Sequence, residues 1–152
     1  SKPMVNYSNE KAKNRNLNNI EFIHSGFLNY LHQGKLADGA FSQIALHHLP
    51  DFWKMVALKN IYNSLKPYGT FFLRDVVFPF EIDQYENKIE NMLNEFSKMG
   101  TPETLQNFYH HIGSEYSTFC WIMEQGLEKT GFKIIDKVET DFFLFEYICQ
   151  KV

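Results

Sequence analysis

Apolar and polar positions follow two rhythms along the chain, and the switch between them is clearest from Asp38 to Asp75. Ala40 to Leu46 is a short, mostly apolar run with Phe41 and Ile44, the pattern of a strand buried on both faces of a parallel sheet. From Asp51 to Leu65 the period turns helical. Met55, Leu58, Ile61, Tyr62 and Leu65 recur at spacings of three and four, giving one face that packs on a sheet; Lys54 at its edge and Lys59 away from it are expected to reach water. Asp51 after Pro50 suits the helix start. Lys66, Pro67 and Gly69 predict its end, because proline cannot continue the hydrogen-bond ladder and glycine takes a left-handed turn. Thr70 to Phe78 reads as a second buried strand. Strand, crossover helix and strand make a βαβ unit, which predicts a parallel pair with a right-handed connection.

The same reading extends to both sides. Ser1 and Pro3 start a helix that runs to about Arg15, Asn14 to Asn19 is a polar turn, and Ile20 to His24 is a strand with Phe22 and Ile23 on opposite faces. After the βαβ unit, Ile82, Tyr85, Ile89, Met92, Leu93, Phe96 and Met99 form one apolar helical stripe. Thr101 and Pro102 start a shorter helix with Leu105, Phe108, Tyr109 and Ile112. Ser117 or Thr118 is expected to cap a further helix carrying Phe119, Ile122, Met123 and Leu127, which Gly131 ends. Phe132 to Thr140 and Phe142 to Val152 are two strands joined near Asp141 by a turn so short that they must be antiparallel.

Composition narrows the classes. A length of 152 residues with 44% hydrophobic content suits one folded domain. The formal net charge of −3, without a dense Lys/Arg cluster, argues against a nucleic-acid partner. No apolar run reaches about 18 residues and no leader pattern is seen, so a membrane partner is not expected. Cys120 and Cys149, the two cysteines, stand apart in apolar settings, which suits reduced thiols in a cytoplasmic protein.

The run HHLPD, a helix, LKPYG and a strand ending in Asp75 resembles the second half of class I S-adenosylmethionine-dependent methyltransferases. Members often close their fourth strand with leucine-histidine-histidine-leucine and precede the fifth with leucine-lysine-proline-glycine-glycine. Here Tyr68 takes the place of the first of those glycines. The helix, glycine-phenylalanine and terminal hairpin also match the family's ending. Its members open with a strand, a GxGxG loop, a helix and a second strand ending in an acid, often followed by serine-x-x-methionine; Ser1 to Met4 resembles that last piece, and no GxGxG occurs. The resemblance thus implies an α/β, Rossmann-like methyltransferase sheet, parallel with a terminal antiparallel hairpin and lacking its first two strands. It implies a single, N-terminally incomplete domain over residues 1–152, with a helical substrate cover at about 79–113. In the family's strand order, 3-2-1-4-5-7-6, the missing strands would leave a span of about 14 Å between Ile20–His24 and Ala40–Leu46.

Ligands of open α/β sheets sit beyond the carboxyl ends of the parallel strands, which selects His24 to Phe27, Leu46 to His48 and Asp75 to Val77. With the resemblance, the implied cofactor is S-adenosylmethionine and the candidate cofactor-binding residues are Ser25, Gly26 and Phe27, then Gln43, Ile44 and Ala45. Phe27 stands where the family often has an aspartate for adenine; it either covers the ring or begins a short helix with Leu28 and Leu31. His47 or His48 is the candidate catalytic base, one at most, since consecutive residues leaving a strand point in opposite directions. Candidate substrate-binding residues are Asp75, Tyr85, Tyr109, His110 and Tyr116, with Phe108 and His111 nearby in sequence; Asp75 could instead pair with Arg74. No C-x-x-C or H-x-x-x-H spacing occurs, so no metal is expected. The functional expectation is methyl transfer to a small-molecule acceptor, requiring N-terminal residues beyond these 152. The alternative is a non-catalytic binding or assembly module whose sheet another chain completes; on either reading, exposed sheet edges would favour a homo-oligomer.

Overall fold

A computed structural model describes residues 1–140 and 143–152, apart from the side chains of Met99 and Thr104. The chain divides into two compact units, Ser1–Leu31 and His32–Val152.

The first unit opens with α1 (Lys2–Asn14), whose first turn holds proline and whose last turn carries Lys11 and Lys13 against the negative end of the helix dipole. Asn16 leaves the helix with a left-handed φ of 54°. Residues 20–24, expected as a strand, are irregular, and Ile20 and Ile23 are about half exposed. An isolated segment has no ladder to join, and this unit contains no strand. The short helix expected from Phe27 to Leu31 is a single turn closed by Tyr30 N–H on the Gly26 carbonyl at 3.0 Å. Asn29 accepts from Gly26 N–H at 2.7 Å and from the Ser25 hydroxyl at 3.0 Å, so side-chain bonds replace further helical ones.

The second unit is built on β1 (Ala37–Gln43), α2 (Asp51–Ser64), β2 (Leu65–Phe78), α3 (Tyr85–Met99), α4 (Pro102–Ser114), β3 (Thr118–Phe119), α5 (Cys120–Thr130), β4 (Phe132–Glu139) and β5 (Leu144–Lys151). The sheet order is β1-β2-β5-β4: β1 runs parallel to β2, β5 runs antiparallel to both β2 and β4, and β3 adds two residues beside the end of β2. That is the 4-5-7-6 portion of the order expected from the sequence. Asp141, where the hairpin turn was placed, and Phe142 lie outside the described residues.

Leu65, Phe71, Leu73, Asp75 and Val77 alternate inward along β2, and α2 and α5 supply Leu58, Met123 and Leu127 to the core. Tyr62 and Phe71 both pack on Phe132, at ring distances of 5.3 and 5.4 Å. Gly126 lets α5 come close to α2; a Cβ there would stand 2.4 Å from Met55 Sδ. No helix among the described residues is long and apolar enough to cross a membrane.

Four expectations need correction. β1 starts at Ala37 and stops at Gln43, and it is not buried on both faces: Phe41 is 66% exposed and stacks on its register partner Phe72, because both lie on the face of the sheet opposite buried Phe71 and Leu73. Lys54 does not reach water. It is fully buried, its ammonium held by Asp51 Oδ1 at 2.7 Å and by the Tyr116 carbonyl. Thr118 does not cap α5 but donates to Asp51 Oδ2 at 3.1 Å, and α5 begins after Phe119. Ile82 lies outside the helical stripe, in a 3-10 turn before α3, and is 61% exposed.

The turn after α2 also differs. Its left-handed residue is Tyr68, with φ of 63°, whereas Gly69 is required for close approach, since a Cβ would meet the Lys66 carbonyl at 2.9 Å. Tyr68 is 74% exposed, so its ring contributes little packing. Tyr68→Gly is therefore expected to stabilise the protein. Removing a left-handed clash of about 1–2 kcal/mol, less the extra chain entropy of glycine, leaves a net gain of roughly 0.5–1 kcal/mol, readable by denaturant titration.

Candidate active site

β1 ends where its backbone is pulled out of the ladder. Ile44 takes a left-handed φ of 47° while its N–H still reaches the Arg74 carbonyl at 2.7 Å, and the chain then closes into a 3-10 turn, Leu46–His48. Asp75 causes this departure. Its fully buried carboxylate accepts from Leu46 N–H at 2.8 Å, from Ala45 N–H at 3.4 Å and from its neighbour Val76 N–H at 2.9 Å. Oδ1 also meets His47 Nδ1 at 2.5 Å. One carboxylate at the centre of the sheet thus fixes both the turn and the imidazole.

His47 is 3% exposed and His48 59%, yet the two consecutive imidazoles do not diverge as expected: their rings pack at 4.2 Å and both approach Glu115. His47 Nε2 points toward Glu115 Oε2 at 3.5 Å, and its ring meets that of His111 edge-on at 5.0 Å. Glu115 also contacts His111 Nδ1 and lies 3.6 Å from His48 Nδ1, while Ser117 Oγ sits 2.8 Å from His111 Nε2. The rim carrying Glu115 and Ser117 is held in place from below. Tyr116 N–H donates to the His47 carbonyl at 2.7 Å, and buried Lys54 grips the Tyr116 carbonyl from α2.

Electrostatics follow from these contacts. Burial pushes the Asp75 carboxyl up, but His47 and the Val76 and Leu46 amides together outweigh it and hold the group below the usual carboxylate value. His111 is held below its ordinary value, burial outweighing the opposing pull of Glu115. Beside this network lies an apolar cleft of about 380 Å³, walled by Phe78, Phe80, Tyr85, Ile112 and Phe119. Ser117 and Asp51 supply its polar rim.

Of the residues selected from sequence, His47 and Asp75 are brought into direct contact, and Tyr85 lines the cleft. Asp75 is turned inward and does not pair with Arg74, which extends from the other side of β2 to Glu146 Oε1 at 3.1 Å. Tyr116 contributes its main chain, with its ring half exposed. Tyr109 and His110 lie on the exposed side of α4, and Phe108 stacks on Phe96 at 4.6 Å. Gln43 and Ile44 are exposed and Ala45 half-buried at the end of β1, whereas Ser25, Gly26 and Phe27 belong to the turn of the first unit. Glu115 and Ser117 escaped sequence reasoning. The available signal was the four-residue spacing of His111 and Glu115, which puts two side chains on one helical face.

A family model described as a methyltransferase domain matches residues 1–73. No curated protein matches the chain. Solved structures share the fold. The mitomycin 7-O-methyltransferase superposes with a TM-score of 0.69 at 15% identity, over 99% of this chain and 40% of that one. An O-methyltransferase family 2 protein from Planctomyces limnophilus, in complex with apigenin, gives 0.65 at 12% identity, over 97% and 40%. The magnesium protoporphyrin IX methyltransferase from Synechocystis, with bound S-adenosylhomocysteine, gives 0.65 at 14% identity, over 100% and 61%. The chain spans about two fifths of the first two. It resembles class I S-adenosylmethionine-dependent methyltransferases in sequence over residues 1–73, and its α/β sheet has their Rossmann-like fold.

Proposed function

We propose that the protein transfers a methyl group from S-adenosylmethionine to a hydroxyl oxygen of a small-molecule acceptor, with His47 as the general base. The observation that carries this reading is the contact of His47 Nδ1 with the buried Asp75 carboxylate at the carboxyl end of β1. Asp75 already accepts three backbone N–H groups, so it acts as an acceptor and His47 Nδ1–H donates to it. That tautomer leaves the Nε2 lone pair free to take a proton.

The reaction is a displacement. The acceptor oxygen forms a bond to the methyl carbon as the carbon–sulfur bond breaks, the hydroxyl proton passes to His47 Nε2, and S-adenosylhomocysteine leaves. Alignment and exclusion of water supply much of the acceleration. The apolar cleft beside Ser117 suits a flat, largely apolar acceptor, and Tyr85 is the acceptor-side residue among those selected from sequence. Gln43, Ile44 and Ala45, at the end of β1, are proposed to touch the cofactor. Localisation in the cytoplasm belongs to the same reading.

A second reading, an assembly module, is favoured by one observation: β1 is an edge strand with exposed Phe41. An assay of S-adenosylhomocysteine release distinguishes the two. The protein expressed from its whole reading frame is expected to release it only when a hydroxylated aromatic acceptor is supplied. Absence of acceptor-dependent release across aromatic, aliphatic and heterocyclic alcohols would favour the assembly module.

A further inference from the structure

We propose that His47, His111 and Glu115 together hold a divalent cation of the zinc class. The ligand atoms of these three side chains all lie within 4.8 Å of one another, and the site is buried on the His47 side and half-buried on the others. The hydrogen-bond inventory shows why a cation suits this point. His47 Nδ1 donates to Asp75, so Nε2 presents a lone pair toward Glu115. Ser117 Oγ lies 2.8 Å from His111 Nε2, and in the tautomer where Nε2 donates to it, the one a loaded site requires, His111 Nδ1 presents a second lone pair to the same carboxylate. Glu115 supplies only acceptor oxygens. Three electron-pair donors then converge with no donor hydrogen between them, and one cation satisfies all three.

The donor set matches a known chemistry. Two imidazoles and one carboxylate, with a fourth position left open, make a tetrahedral zinc site of the catalytic type. Asp75 stands where an outer carboxylate fixes the tautomer and orientation of a ligating histidine. His111 and Glu115 come from one helix end four residues apart, so a single rim carries two ligands. His48, 59% exposed and 3.6 Å from Glu115, marks the side from which an ion enters.

The site goes beyond the methyl-transfer reading, because the cation takes the same His47 lone pair that would accept a proton. A loaded site is therefore not a free base, and zinc at saturating concentration is expected to suppress base-dependent turnover.

Zinc binding is measured without S-adenosylmethionine, so its outcome stands apart from that of the methyltransferase assay. Metal-free protein, dialysed against chelator, is titrated with zinc chloride by calorimetry and with cobalt(II) by visible absorption. One zinc per chain with micromolar or tighter affinity is expected, and cobalt(II) should give the visible bands of a four- or five-coordinate nitrogen and oxygen site. Glu115→Gln and His111→Gln should each weaken binding at least tenfold, while His110→Gln, one residue along on the exposed side of α4, should leave it unchanged. Circular dichroism of each metal-free variant checks that it is folded. Should a variant fail to fold, the cobalt spectrum of the unaltered protein decides: a thiolate charge-transfer band, or no saturable spectrum, would overturn the assignment. So would binding that survives both substitutions.

Discussion

His47→Gln should lower kcat for methyl transfer by about 10²–10⁴-fold, the range lost when a positioned acid–base group is removed. Glutamine keeps a side-chain N–H for Asp75 but offers no basic nitrogen to the acceptor. Affinity for S-adenosylhomocysteine should change little, since the imidazole faces Glu115 and His111. His48→Gln is the contrast. That side chain is 59% exposed and packs beside the His47 ring, so its loss should leave kcat within a few-fold. Equal losses for the two substitutions would remove His47 from its assigned role.

Asp75→Ala should destabilise the second unit by about 3–5 kcal/mol, since each buried donor left without its acceptor costs about 1–3 kcal/mol. The substitution strands the His47 ring and leaves the amides of Ala45, Leu46 and Val76 without their acceptor. The loss should depend on pH in a defined direction. In the folded protein the Asp75 carboxyl is held below its usual value, so its contribution is fully present above the unfolded carboxylate value, near about 3.9. It fades as pH falls through the lower folded value. Denaturant titrations of native and Asp75→Ala protein, run in chelator, should show stabilities that differ most near neutrality and converge in acid. A constant difference across that window would mean that the ionised carboxylate is not what holds the turn.

Much of the fold was legible because it rests on local signals. The period change at Asp51 and the glycine at 131 marked the start of α2 and the end of α5, whereas β2 begins at Leu65, before Pro67 and ahead of the expected Thr70. The terminal hairpin followed from the shortness of its turn, and the order β1-β2-β5-β4 from the family resemblance. What failed depended on partners distant in the chain. Residues 20–24 have strand-like residues and no strand beside them in their unit. Lys54 is buried because Tyr116, 62 residues later, offers it a carbonyl. The end of β1 is set by Asp75, about thirty residues on, which draws the Ala45 and Leu46 amides out of the ladder.

The candidate site was half legible for the same reason. His47 and Asp75 could be selected separately, as strand-end residues, but sequence could not pair them in preference to Arg74 and Asp75. Alternation along β2 decides that, turning Asp75 in and Arg74 toward Glu146. The spacing H-x-x-x-H misses His111 and Glu115, four residues apart, because the second of them is a carboxylate.

The most direct measurement is a calorimetric titration of S-adenosylhomocysteine into the protein expressed from its whole reading frame, with the 152-residue chain alongside. Saturable one-to-one binding by the protein of the whole reading frame is the predicted result. Absence of binding by both would contradict a methyl-transfer function and reduce the resemblance to one of fold.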